Sequence, residues 1–456
     1  MRKKSNFGSM IGMLLFIGII AGGVFVYTSP MFEQDKPSAV LIDSNGFWNM
    51  KKPLMIKIDD ESGLKQYKVT LKSGDKSFEL ASEQFMTPET DTVITVDVPK
   101  NVFRLKVDEV VITVEANDAS SWNFMKGNSS KDDFLLIVDK RRPVANVITN
   151  SYGIRKGGSA LVVFEASDDN IKSFHIETDS GKHFVGQPFY KENVYVALIA
   201  WPVMEESFRA RLVVEDEAGN VARAPIPFYI KSAQYRTRTL KLSDKYLEGK
   251  IAQLAEDYAE TQDVEGRIPQ FKVINEDVRE ANEKLIHEIT ATVPDTMISS
   301  FSVTPMYPLK NAQILGGFGD HRYYHYHGEQ VSEAYHLGLD MASVKQAKIT
   351  PQNGGEVVYA GYNGIYGNMP VIHHGMGLYT LYAHCSSMNV QVGDVVKPKQ
   401  VIANTGTTGS VLGDHLHFGV LVQGVDVRPQ EWMDKQWIRL NITEVLNNAK
   451  KIMKRS

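Results

Sequence analysis

Cysteine is almost missing from this chain of 456 residues, which has only Cys385. A closed thiolate metal cage and an intramolecular disulfide are therefore both excluded. Charge of one sign is not in excess either. Fifty Lys and Arg against 54 Asp and Glu leave a formal net charge of −4, which gives no electrostatic case for nucleic acid. What remains is ordinary globular material, 43% hydrophobic and 23% charged, in a chain long enough for about three units.

One uncharged apolar run stands apart, from Met10 to Tyr27, behind Arg2, Lys3 and Lys4. As a helix it reaches roughly 27 Å, against about 30 Å of hydrocarbon in a bilayer. The basic flank, residues 1–9, should stay cytoplasmic, so residues 10–28 predict a single-pass anchor with the bulk of the chain beyond the membrane. A cleaved signal peptide is the competing reading. Its only small-residue group, Ala21-Gly22-Gly23, lies inside the apolar run and is followed by Val24-Phe25-Val26, a poor cleavage geometry. No cysteine is placed for a lipoprotein anchor.

The fold class read from the rest is mainly β. Short alternating runs separated by turn residues predict two immunoglobulin-like β-sandwiches, over 36–140 and 143–232. They look like copies: Leu64–Val69 with Ser73-Gly74 downstream resembles Ile171–Ile176 with Ser180-Gly181, and Arg141-Arg142-Pro143 is the joint. Acidic stretches precede both, Asp59-Asp60-Glu61 and Asp168-Asp169. Oxygen ligands suit calcium, but such residues are more often solvated turns. The expected role of both sandwiches is spacing and docking, with envelope proteins as candidate partners.

Between 240 and 298 the period changes to helical. Leu247, Ile251, Leu254 and Tyr258 follow Ser243, a good N-cap, and Val278, Ala281, Leu285 and Ile289 follow Asn275, with Gly266 and Pro269 between the two runs. The segment is expected to be a linker packed on a neighbour, with a lid as the alternative. Strand patterns then return over 301–435, and 436–456 reads as a tail.

The chemistry sits in that last β region. His336-x-Gly-x-Asp340 and His415-x-His417 have even spacings, and on strands residues two or four apart share a face. Two strands can therefore aim three or four metal-capable groups into one space. Two imidazoles and one carboxylate with an open position suit catalytic zinc.

From Tyr307 to Trp432 the chain resembles the lysostaphin/LytM-type zinc metallopeptidases. The motifs that carry this are Phe318-Gly319-Asp320-His321-Arg322, His336-x-Gly-x-Asp340, Gly354-Gly355-Glu356-Val357-Val358, Tyr379–His384, Val392-Gly393-Asp394-Val395-Val396, Asn404-Thr405-Gly406-x-Thr-Gly409 and His415-Leu416-His417-Phe418, in family order. The resemblance implies an antiparallel β peptidase domain holding one Zn²⁺ through His336, Asp340 and His417. It implies that His384 and His415 act beside the metal, one taking a proton from water and both stabilising an oxyanion. The order of those two roles is open. The implied substrate is the stem peptide of bacterial peptidoglycan, cut at its cross-links from an inner-membrane anchor in the periplasm. Rival expectations are a non-catalytic module that activates other wall hydrolases, and a carboxypeptidase.

Departures from the pattern are few. Cys385 stands where the family commonly has leucine and is expected to be a small core residue. The run Tyr323-Tyr324-His325-Tyr326-His327 adds histidines near the first ligand and reads as a tyrosine-rich surface hairpin, with occlusion of the groove, substrate binding or a stray metal ligand as the alternatives. His287, His373 and His374 are not ligand candidates.

Overall fold

The computed structural model describes residues 7–42 and 44–455, so Arg2, Lys3 and Lys4 lie outside the described residues. Strands predominate, one apolar helix leads the chain, and the last large sheet carries the histidine motifs. The helix spans Phe7–Thr28, and its stretch Met10–Thr28 is apolar enough to cross a membrane, a test that a signal sequence also passes. Two compact units follow, one built on residues up to Pro143 and one on most of the chain from Val144.

In the first unit a long hairpin, Leu54–Ser73 with Lys76–Val96, dominates a six-stranded sheet. Alternation buries Leu54, Ile56 and Ile58, then resumes at Tyr67, Val69 and Leu71 beyond an irregularity between Asp59 and Leu64. Gly63 supplies the positive φ there (84°), and the strand changes partner, from Ser38–Ile42 before the irregularity to Glu109–Asp118 after it. One strand thus serves both halves of a sheet wrapped on a single core. At this end the carboxylates of Glu33, Asp60 and Asp118 gather within 4.8 Å. Burial, and then the charges of Asp60 and Asp118, push Glu33 up to about 7.

The second unit opens with two four-stranded sheets. Their central strands, Ser159–Ser167 with Val194–Ala200 in one and Ile171–Thr178 with Ala210–Asp216 in the other, bury Leu161, Val163, Leu198, Leu212 and Val214. This core does not stop at the expected boundary near 232. It runs on into the C-terminal β region, with polar pins at the seam: the Gln423 amide donates to the carbonyls of Val185 and Leu198 (3.0 and 2.9 Å), and Glu431 accepts from Ser159 N at 2.9 Å. Stretch 436–456, expected as a tail, is helical to Met453 and packed. Ile438, Ile442, Val445, Leu446, Ala449 and Met453 recur at helical spacing and are all buried.

The C-terminal sheet runs in the order Gln313–Gly316, Leu339–Ala342, Leu416–Val422, Leu378–Ala383, Asn368–His373, Gly355–Tyr362 and Val395–Val396, antiparallel throughout, with Val425–Val427 added beside Leu416–Val422. The helical segment lies against it. Ser243 caps the first helix by accepting from Tyr246 N. The second helical stretch starts earlier than its apolar pattern, at Arg267, so that Pro269 sits in the first turn, where its missing N–H costs nothing. Its buried face is also rotated. Val278, Asn282 and Ile286 are buried, while Ala281 is exposed. Asn282 decides this: its Oδ1 accepts from Ile365 N at 2.9 Å and its carbonyl accepts from the Asn363 amide at 3.1 Å. A polar anchor overrode the apolar count.

Candidate metal centre

Register builds the site. Strand Leu339–Ala342 runs antiparallel to Leu416–Val422 with Asp340 directly opposite His417, and on the far side of that strand His417 faces Ala383, the residue before His384. His336 enters from the loop before Leu339, its N–H bonded to Asp320 O at 3.0 Å. The ring Nε2 of His336 lies 2.9 Å from Asp340 Oδ1 and 3.0 Å from His417 Nδ1, and His417 Nδ1 lies 3.3 Å from Asp340 Oδ1. Ligand atoms held about 2.0 Å from a tetrahedral ion stand about 3.3 Å from one another, so the three groups fit one zinc ion. A backbone carbonyl orients the first of them. A carbonyl only accepts, so the contact of His336 Nδ1 with Gly317 O (2.8 Å) puts the proton on Nδ1 and leaves the Nε2 lone pair facing the cluster.

Two more histidines border the cluster. His384 has φ 66°, a left-handed turn immediately after its strand, and its ring lies 4.9 Å from that of His415 and 5.9 Å from that of His417. Its Nδ1 donates to Thr408 O (2.9 Å), and His415 Nδ1 donates to Gly413 O (2.8 Å). Both rings therefore present a bare Nε2, and that of His415 is 3.6 Å from Asp340 Oδ1. All five sequence-predicted residues meet in one place.

Electrostatics keep the cluster in ligand form. Burial pushes His336 down to about 4, and it holds His384 well below the ordinary imidazole value. Burial works against the charge on Asp340, yet the surrounding histidines, His336 first, hold its carboxyl well below the usual range. The Arg322 guanidinium adds a 2.9 Å bond to Asp340 Oδ2. Burial also opposes a charge on His415, but Asp340 outweighs it and raises that ring.

The other histidines stand elsewhere. His374 is half-buried and held between Gly354 O and Thr380 Oγ1, His373 stacks on Tyr379, and His287 pairs with Asp426 at 2.8 Å. The tyrosine-rich run forms the hairpin His321–Tyr326 with Glu329–Tyr335, and His325 and His327 lie outside the metal group. Cys385 is buried, with burial pushing its thiol up to about 12.

A cavity of about 330 Å³ opens onto the cluster. Its walls include His336, His384, His415 and His417, but also Tyr246 and Arg279 from the helical segment. Tyr246 and Ser410 share a hydroxyl hydrogen bond of 2.6 Å, and Lys250 donates to Thr407 O at 2.7 Å. Tyr324 of the hairpin packs on Phe271 at 5.3 Å. The helical segment thus forms one wall of this cavity. Sequence reasoning missed Tyr246, Arg279 and Tyr366 as lining, because no motif connects them to the histidines of the cluster.

Residues 334–429 match the profile described as Peptidase family M23. This part of the chain is an M23 peptidase domain. M23 peptidases are zinc-dependent, and the His–Asp–His group of this domain has the matching donor set. The chain is 33% identical over 122 residues to the DD-carboxypeptidase/endopeptidase Mpg of Neisseria meningitidis serogroup B, covering 27% of each chain. It is 36% identical over 119 residues to the peptidoglycan DD-endopeptidase ShyB of Vibrio cholerae, covering 26% of this chain and 27% of that one. It is also 36% identical over 107 residues to the murein hydrolase activator NlpD of Salmonella typhimurium, covering 23% and 28%. The chain therefore matches only about a quarter of the length of these relatives. Among solved structures, the catalytic domain of lysostaphin from Staphylococcus simulans is 28% identical, with TM-score 0.23, over 27% of this chain and 92% of that one. A zinc-containing peptidase from Vibrio cholerae is 15% identical, with TM-score 0.28, over 72% and 81%.

Proposed function

We propose that this protein is a zinc endopeptidase that hydrolyses peptide cross-links of bacterial peptidoglycan from an inner-membrane anchor, with its bulk in the periplasm. The observation that carries the reading is the convergence of His336 Nε2, Asp340 Oδ1 and His417 Nδ1 on one point, with two further bare imidazole nitrogens beside it. His336, Asp340 and His417 would hold the metal, which supplies Lewis acidity and brings the pKa of a water down toward roughly 7. His384 and His415 each keep Nδ1–H on a carbonyl, so either one can accept the water's proton at Nε2 and return it to the leaving amine. While it carries that proton, the same ring donates to the oxyanion. Arg322 fixes Asp340 so that one carboxylate oxygen faces the cluster.

The activities named for the relatives, DD-endopeptidase and DD-carboxypeptidase among them, support the substrate class. The likeness to a murein hydrolase activator favours a second reading, a binding module that acts through other hydrolases. Digestion of purified sacculi with the full chain, with and without chelator, followed by muropeptide separation, tests all three. Chelator-sensitive loss of cross-linked dimers supports the endopeptidase. Loss of terminal D-alanine alone supports trimming, and unchanged muropeptides support the activator.

A further inference from the structure

Outside the peptidase, the least explained surface is a short loop of the first unit. Residues Trp122–Met125 carry three large apolar side chains into the open: Phe124 is 96% exposed, Met125 81% and Trp122 38%. Asn123, Phe124 and Met125 all have positive φ (51°, 56° and 66°), a backbone that residues with a Cβ adopt at a cost. The loop is not loose. Met125 N donates to Ser121 O, Gly127 N to Trp122 O, and the Asp118 carboxylate accepts from Ser120 N and from Asn128 N and Nδ2. A rigid turn that holds a ring and a thioether in water has no folding reason to do so.

Its position supplies a reason. Ser121 N donates to Met31 O at 2.7 Å, and Ser120 Oγ to Glu33 O at 2.8 Å. Met31, itself 57% exposed, stands three residues beyond Thr28, the last residue of the apolar helix. Three residues span at most about 10 Å. If that helix crosses a bilayer, as the proposed function has it, the loop base is tied within about 10 Å of the membrane edge on the side of the folded units. Tryptophan and other apolar side chains at that depth are what interfacial anchoring uses, and Lys126 follows immediately.

We propose that the Trp122–Met125 loop is a second membrane contact, inserting Trp122, Phe124 and Met125 into the headgroup region beside the anchor helix and fixing the first unit against the lipid surface. The inference rests on the anchor reading of Phe7–Thr28. The test uses the full chain reconstituted in phospholipid vesicles whose acyl chains carry bromine, a short-range quencher. Of the five tryptophans, Trp48, Trp201 and Trp432 are buried, Trp437 is half-buried in the second unit, and the apolar helix contains none. Lipid quenching is expected to remove up to about a fifth of the tryptophan emission, and Trp122→Phe is expected to abolish that quenching while leaving vesicle flotation intact. Phe124→Asp with Met125→Asp is expected to reduce quenching of Trp122 by at least half. Flotation with no quenching, or quenching that survives Trp122→Phe, overturns the loop contact and leaves the anchor standing. Failure to float overturns both.

Discussion

Gly338 shows how little freedom the site leaves a single residue. It lies between His336 and Asp340, and a Cβ there would stand 2.5 Å from His417 Nε2 and 2.8 Å from Phe418 O. The glycine in the first motif is there because an imidazole from the next strand fills the space a methyl would take. Gly338→Ala is expected to displace His417 and lower zinc affinity at least tenfold, by competition with a chromophoric chelator, while leaving the fold intact. His336→Ala should abolish zinc retention, whereas His415→Ala should keep the metal and lose turnover. Zinc missing from the second variant would overturn that division of roles.

Glu431 provides a pH readout independent of the metal. Burial pushes its carboxyl up to about 7 from an ordinary 4.5, against the hydrogen bond from Ser159 N. A raised carboxyl pKa means that the folded state binds the proton more tightly. The contribution is therefore full below about 4.5 and is lost as pH rises through about 7. At 8% exposure the span is on the order of 3 kcal/mol. Thermal unfolding from pH 4.5 to 8 should show the second unit losing stability, and Glu431→Gln should flatten that slope.

Among the elements, the helical segment carries the most information. Its apolar periodicity predicts amphipathic helices, and helices are present, but the face and the start of the second one follow Asn282, Asn275 and Arg267 instead. Asn275 donates to Ser332 Oγ at 2.9 Å and Glu333 O at 3.2 Å, pinning the helix to the hairpin strand Glu329–Tyr335. Asn282→Ala removes the hydrogen bond that Oδ1 accepts from Ile365 N at a buried seam and should cost about 1–3 kcal/mol. Hydrogen exchange is expected to rise at Asn363–Tyr366 and along Arg279–Ile289, and to stay unchanged in the strand Leu416–Val422. Equal exchange in all three would refute a local seam. Apolar counting misplaced this helix because it assigns no weight to a polar side chain that is buried with its partners.

At the scale of the whole molecule, two compact units predict two unfolding transitions. Zinc in 100-fold excess over its dissociation constant stabilises whatever binds it by about 2.7 kcal/mol. Scanning calorimetry of the full chain should show one transition shifted upward by zinc and the other unmoved, with the shift absent in His336→Ala. A single transition, or a shift in both, would contradict the division. The core of the second unit also explains the C-terminal helix. A sequence reading that ends the peptidase at 435 leaves Ile442, Val445 and Leu446 with nothing to cover, whereas in the fold they close the seam with the preceding β module.

Residue chemistry and local pattern specify the kinds of structure and the chemical groups: an apolar helix, alternating strands, a single thiol, and the pairs His336/Asp340 and His415/His417 at even spacings, with His384 added by the family pattern. These are legible because strand alternation and residue chemistry are local, set within a few positions along the chain. Only the tertiary structure decided that Asp340 lies opposite His417, that carbonyls of Gly317, Thr408 and Gly413 fix which ring nitrogen is bare, and that Tyr246 and Arg279 wall the cavity. Those facts depend on register and on burial of polar partners far apart in sequence, where each pairing competes with many alternatives of similar local energy.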